Sequence, residues 1–109
     1  MSLPSKYHNR KTVYKDRTFD SKREADYAAR LDILKRAKDP KERVEKIEYQ
    51  IRIPIIINGV KICSYIADFK VTYGDGRTET QDVKGFKTPV YKLKKKMVKA
   101  VYDIDIVEI

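Results

Sequence analysis

The chain is short of the residues from which disulfides and soft-metal sites are made. Cys63 is the sole cysteine and excludes an internal disulfide, and with His8 as the sole histidine no Cys/His zinc cluster can be assembled. A metal bound here would be a hard cation held by oxygen. Long apolar runs are missing too. None approaches the ~18 residues of a membrane span, and the opening "MSLPSKYHNRK" has no apolar core of the kind a secretory signal carries. The expectation is a cytoplasmic protein without membrane association. There is no internal repeat and no Gly/Ser linker, so the chain is expected to form one domain, residues 1–109. Acidic residues are the minority charge: 16 Asp and Glu against 25 Lys and Arg leave a formal net charge of +9. Such an excess favours polyanionic partners through steering and counterion release, nucleic acid first and an acidic membrane surface second.

Against these absences stand periodic apolar runs, which argue for a folded core despite a charged fraction of 38%. "FDSKREADYAARLDILKRA" carries helix signals: Asp20 or Ser21 as N-cap, with Tyr27, Ala28, Leu31 and Leu34 on one face, predicting a helix over about residues 21–37. "VEKIEYQIRIPIIINGVKICSYIADFKVTY" is rich in Ile, Val and Tyr and reads as two strands around an Asn58-Gly59 turn, with Pro54 at an edge or bulge. After "GDGR", "TETQDVKG" reads as a third strand. Thr88 and Pro89 then open a second helix with Val90, Leu93, Met97, Ala100 and Val101 expected on its inner side. "DIDIVEI" closes the chain as a strand parallel to its predecessor. The fold class expected is α/β (α+β), order α-β-β-β-α-β, a mixed sheet flanked by helices and preceded by a basic arm over residues 1–18.

In "YIADFKVTY" the residues Tyr65, Ala67, Phe69, Val71 and Tyr73 share one face, and Ile66, Asp68, Lys70 and Thr72 the other. A three-residue loop at Gly74, Asp75 and Gly76 pairs residues whose numbers sum to 150, so Asp68 faces Asp82; a two-residue loop at Asp75 and Gly76 would set it against Val83. The first register is preferred. Opposed carboxylates about 5 Å apart repel, and Lys84, two residues past Asp82, points to the same face. Two carboxylates and an amine on one patch suit a Mg²⁺ ion that holds and polarises a phosphate, with the lysine orienting or deprotonating a water or neutralising charge on the phosphate. The alternative is a surface hairpin with charges on its wet face.

Glu24 follows Ser21 by three residues and fits a capping box. It also stands three, four and seven residues before Tyr27, Ala28 and Leu31, on the stripe expected to face the sheet, where it would reach the edge of the Asp68 and Asp82 patch. Lys6, Arg10, Lys11, Lys15 and Arg17 make the amino-terminal arm basic. Lys22 and Arg23 open the first helix, while Lys87 and then Lys92, Lys94, Lys95, Lys96 and Lys99 crowd the second. These are candidate phosphate contacts, or a solvated helix face. Tyr7, Tyr14 and Tyr91 are candidates either to stack on unpaired bases or to pack.

"AD" at 67–68, thirteen intervening residues and "DVK" at 82–84 resemble the bipartite motif of the PD-(D/E)XK nuclease superfamily, whose upstream helix bears a glutamate. "KYHNRKT", "FDSKREA", "YIADFKV" and "DVKGFKTPVYKLKKKM" resemble a small phage and prophage family, catalogued as a domain of unknown function, that is similar to Holliday junction resolvases. The resemblance implies a restriction-endonuclease-like core and a metal-dependent endonuclease acting on branched DNA in a phage-infected or lysogenic bacterial host. It implies Asp68, Asp82 and Glu24 as ligands of Mg²⁺ or Mn²⁺, Lys84 as catalytic lysine, and a homodimer, for which the apolar "IRIPIIINGVKI" is a candidate interface. Ala67 stands where the motif has proline. Gln50 is a candidate site neighbour or a solvated edge residue. A nuclease of the same superfamily for flap or linear DNA, and a non-catalytic nucleic-acid-binding module, remain as alternatives.

Overall fold

A computed structural model describes residues 11–109. In chain order the elements are β1 (Thr12–Tyr14), β2 (Arg17–Phe19), α1 (Lys22–Leu34), β3 (Val44–Ile57), β4 (Val60–Tyr73), β5 (Thr78–Asp82), α2 (Pro89–Tyr102) and β6 (Ile106–Glu108). The expected series from first helix to last strand is present. Ahead of it lies a hairpin that the sequence reading missed. Instead of a plain arm to residue 18, β1 and β2 pair antiparallel around Lys15 and Asp16, which take the positive φ values, 47° and 62°, of a two-residue hairpin turn. Lys6 and Arg10, with Tyr7 and His8, lie outside the described residues.

The main sheet has the order β3-β4-β5-β6. Asn58 and Gly59, with φ of 51° and 77°, form the turn between the long strands β3 and β4. Pro54 lies on β3, an edge strand of this sheet. The β4–β5 ladder pairs Phe69 with Gln81, Lys70 with Thr80, Val71 with Glu79 and Thr72 with Thr78, each summing to 150. The Tyr73 N–H, donating to the Arg77 carbonyl at 2.8 Å, closes the three-residue loop, in which Gly76 takes a φ of 88°. The preferred register is therefore the observed one. β5 and β6 run parallel, joined across α2.

Two apolar clusters fill the interior. In the first, Ala25, Ala28 and Leu31 of α1 and Phe19 of β2 pack on Val44, Phe69 and Val71. In the second, Tyr91 and Val98 of α2 pack with Ile53, Ile55, Tyr65, Ala67 and Ile106. Ala67 belongs to one cluster and Phe69 to the other, so Asp68 stands at their seam. Helix α1 ends at Leu34 rather than near residue 37, with the N–H groups of Lys35, Arg36 and Ala37 bonding three residues back in a tightened last turn.

Helix α2 sits differently from expectation. Val90 and Leu93 are 60% and 57% exposed and Ala100 and Val101 are also exposed, whereas Tyr91 and Val98 are buried and Met97 only partly so. The buried stripe is displaced by one residue, about 100° of helix rotation. Lysine makes this possible, because its aliphatic stem covers apolar surface while its amine reaches a polar partner. The half-buried Lys94 donates to the Ser64 carbonyl at 2.9 Å, and the half-buried Lys95 pairs with Glu108 at 3.4 Å.

Candidate functional site

The two aspartates singled out by the register meet just beyond the end of the β4–β5 ladder, where they stand in for backbone pairing. The Asp68 N–H donates to Asp82 Oδ1 at 3.0 Å, and the Val83 N–H donates to Asp68 Oδ2 at 2.9 Å. Each carboxylate thus ties its own strand to the other's backbone, which fixes both side chains and spreads the repulsion that bare opposed charges would suffer. From the other side, the Ile109 N–H donates to the Asp82 carbonyl at 2.8 Å.

One oxygen of this pair is left over. Asp82 is fully buried, yet its Oδ2 has no hydrogen-bond partner, and the Lys84 Nζ stands 4.0 Å away, an ion pair too long for a hydrogen bond. Lys84 is placed over the Tyr91 ring, its Nζ 4.8 Å from the centroid, and its carbonyl accepts from Arg23 Nη1 at 3.2 Å. The Tyr91 hydroxyl donates to Glu108 at 2.7 Å.

Glu24 arrives from α1. Ser21 caps the helix by accepting the Glu24 N–H at 3.1 Å, but the Glu24 Oε2 is buried and has no hydrogen-bond partner. Capping therefore accounts for the backbone of this residue and leaves its carboxylate unexplained. Burial, followed by the charges of Asp68 and Asp20, pushes the Glu24 carboxyl up to about 7. Burial likewise pushes Asp82 up to about 6 against the opposing pull of Lys84, and raises Asp68. Glu24 and Lys84 line a cleft of about 430 Å³ with Ser21, Val83, Phe86 and Thr88.

Glu24, Asp68, Asp82 and Lys84, the four residues expected at the site, thus occupy one neighbourhood. Among the described residues no group of three or more His, Cys, Asp or Glu side chains is arranged to hold a metal ion. What the donor set does offer is two buried carboxylate oxygens, on Glu24 and Asp82, that lack a hydrogen bond. That suits a hard cation needing one or two carboxylates, its remaining positions filled by water and phosphate. Gln50 is exposed and, counting along the β3–β4 register, falls opposite Asp68, between the pairs Tyr49–Phe69 and Ile51–Ala67. Its φ of 52° is unusual for a non-glycine residue in mid-strand.

The basic residues are less uniform than their sequence suggests. Lys92 and Lys96 are exposed and, with Lys87, Lys95 and Lys99, line a groove of about 580 Å³ between α2 and β6. Glu108 lies in the same groove and pairs with Lys87 at 3.1 Å and Lys95 at 3.4 Å. Lys99 pairs with Asp103 and Asp105, and Lys22 with Asp26. Arg23 spans the Lys84 and Ile109 carbonyls, and Lys11 is exposed. Two of the tyrosines considered for stacking are engaged elsewhere: Tyr91 is buried, and the Tyr14 hydroxyl donates to Asp32 at 2.8 Å. Glu108 was not foreseen. Its position depends on the parallel pairing of Asp82 with Glu108, a long-range contact for which alternation in "DIDIVEI" is the one local sign.

Among the described residues no helix is long and apolar enough to cross a membrane. No curated protein and no solved structure matches the chain. A family model does, over residues 4–107, nearly the whole length: the chain belongs to the family described as "Protein of unknown function (DUF1064)".

Proposed function

We propose that this chain is a metal-dependent endonuclease that hydrolyses phosphodiester bonds in DNA, of the Holliday junction resolvase-like type, working in the cytoplasm of a phage-infected or lysogenic host. The observation that carries the reading is the pair of buried carboxylate oxygens on Glu24 and Asp82 that make no hydrogen bond, beside Lys84 and a cleft, in a chain of net charge +9. A buried carboxylate oxygen that makes no hydrogen bond is costly, and a bound cation removes that cost. Asp82 and Glu24, with Asp68 beside them, would hold Mg²⁺ or Mn²⁺, which when bound supplies Lewis acidity toward a phosphate oxygen and a more acidic water. Asp68 and Asp82 hold each other's strands and so keep the donor set rigid. The Lys84 ammonium would neutralise charge growing on the phosphate. The lysine groove of α2 supplies backbone contacts that are independent of base sequence. A C₂ homodimer belongs to the proposal, since a four-way junction needs two symmetric cuts, and the exposed Val90 and Leu93 and the hairpin tip around Ile56, Ile57 and Val60 offer apolar surface for it.

The test is cleavage of a labelled four-way junction, with duplex and flap controls, in Mg²⁺ or Mn²⁺, comparing wild type with Asp82→Asn at matched DNA binding. Paired nicks confined to the junction and lost in the variant are expected. Cutting of every substrate would replace the resolvase with a general nuclease of the same superfamily. The absence of a three-ligand cluster among the described residues favours one other reading, a non-catalytic nucleic-acid-binding module; tight binding without cutting in any metal would establish it.

A further inference from the structure

Two contacts place the Lys84 amine, and neither is a hydrogen bond. One is the ion pair with the buried Asp82, 4.0 Å from Nζ to Oδ2. The other is the Tyr91 ring, whose centroid lies 4.8 Å from Nζ, within the ~6 Å over which an aromatic face attracts a cation. The ring itself is fixed. The Tyr91 N–H donates to the Thr88 hydroxyl at 3.1 Å in the capped first turn of α2, and the Tyr91 hydroxyl donates to Glu108 Oε2 at 2.7 Å. The Tyr65 ring packs beside it, 6.2 Å from centroid to centroid. Glu108 is the residue that parallel pairing sets next to Asp82, so the hydroxyl ties the ring to the strand beside the one that carries Asp82. The rotation of α2 that leaves Val90 and Leu93 in solvent is what turns Tyr91 inward to the lysine. Tyr91 is 7% exposed and the Lys84 side chain 28%, so a flexible side chain rests on a rigid one.

We propose that Tyr91 is a positioning residue whose ring holds the Lys84 ammonium beside the acidic cluster, an inference that rests on the nuclease reading above. The ion pair with Asp82 cannot do this alone. A divalent cation held at the Asp82 carboxylate competes with the amine for the same negative charge and repels it. The ring carries no net charge and attracts through its face, so its hold on Lys84 persists when the carboxylates are occupied. It also restricts the torsions of the lysine side chain before substrate arrives, which removes part of the ordering entropy from the reaction step. Tyr91 acts through Lys84 and is not itself assigned a contact with substrate. The hydroxyl serves the ring by fixing it to Glu108, and the face of the ring serves the lysine.

Carbon–proton NMR of the full chain without metal or DNA reads the placement directly, because protons over a ring face resonate upfield. The Lys84 ε-methylene protons, assigned by their loss in Lys84→Arg, should stand upfield of the lysine average and stay there when Mg²⁺ is added. Tyr91→Leu should return them to the average, and Tyr91→Phe, which keeps the ring, should keep them upfield. On the DNA that wild type cuts, Tyr91→Leu should lower kcat about ten-fold or more with KM unchanged, and Tyr91→Phe should restore turnover. Circular dichroism checks the fold of each variant, and the wild-type spectrum decides the placement even if Tyr91→Leu does not fold. The proposal is overturned if the wild-type protons are not upfield, if Mg²⁺ returns them to the average, if Tyr91→Leu cuts as wild type does, or if Tyr91→Phe loses as much as Tyr91→Leu. Failure of the nuclease reading has a different signature: Lys84 protons that stand upfield and respond to Tyr91→Leu in a wild type that cuts nothing in Mg²⁺ or Mn²⁺, a result that removes the catalytic role along with the nuclease.

Discussion

Replacing Glu24 by glutamine isolates the cost of the buried carboxylate. Glu24 is 8% exposed, its Oε2 has no hydrogen bond, and its carboxyl is pushed from 4.5 to about 7. Below about pH 4 the group is protonated in both folded and unfolded chains and contributes no pH dependence. Between 4.5 and 7 the unfolded chain releases the proton while the folded one keeps it, so stability falls as pH rises, by ~1.4 kcal/mol per pH unit, and levels off above 7. A span of two and a half pH units makes the loss ~3 kcal/mol. Glutamine has no such titration. Its amide also lacks a partner at this site, a cost that is the same at every pH, so the informative quantity is how the difference between variant and wild type changes with pH. Relative to wild type, Glu24→Gln should gain ~3 kcal/mol on going from about pH 4 to about pH 8, a melting-temperature change of roughly 10 to 20 °C for a chain of this size. Urea titrations at both pH values give the free energies directly. Asp82 titrates in the same sense in both proteins and largely cancels. A variant-minus-wild-type difference that is the same at both pH values would refute the argument. If Glu24 also holds a cation, Mg²⁺ near pH 8 should raise the melting temperature of wild type and leave that of the variant unmoved.

Glu108→Gln keeps an acceptor for Tyr91 but removes the charge that Lys87 and Lys95 share; DNA binding should tighten and its log–log salt slope steepen by about one, and an unchanged slope would show that these lysines do not meet phosphate. The hydrogen bond from Tyr91 and those from the lysines hold the Glu108 carboxyl down at about 2, so its contribution to stability should be present above about pH 4.5 and disappear as pH falls toward 2, a decline that Glu108→Gln lacks. Tyr27→Phe removes the 2.6 Å bond that its hydroxyl donates to Gln81 Oε1, a group 1% exposed whose Nε2 is already committed to Tyr73 and Glu79; a loss of ~1–3 kcal/mol in urea unfolding is expected, and a negligible loss would mean that water reaches the orphaned oxygen.

The parts of the site that lie close in sequence were legible from it. Alternation along "YIADFKVTY" and the glycines at 74 and 76 determine the register, and the register brings Asp68 to Asp82. That the Asp82 carboxylate accepts the Asp68 N–H and the Asp68 carboxylate the Val83 N–H was not foreseen, because it depends on where the backbone ladder stops. The hairpin at Lys15-Asp16 escaped notice since lysine gives no warning of a positive φ, unlike Asn58-Gly59. For α2 the apolar pattern offered a stripe at Val90, Leu93 and Met97, but the docking surface was decided by Tyr91 reaching Glu108 and by lysine stems serving as apolar cover. Those determinants lie in other elements, and periodicity within the helix does not see them.

The position of β3 on the edge of the sheet carries a consequence for how the chain is made. Fourteen residues of edge, seven of them isoleucine or valine, would serve as a template for the strand of another molecule. Three features interrupt that line: the positive φ at Gln50, Pro54 with no N–H to offer, and the Tyr102 hydroxyl, which donates to the Pro54 carbonyl. The first two are present as soon as β3 is synthesised, but Tyr102 is the last residue of α2. During translation the hairpin stands with its edge partly uncapped until the final helix leaves the ribosome, so a chain that stops short of α2 is left sticky as well as unstable, open to strand pairing with its neighbours.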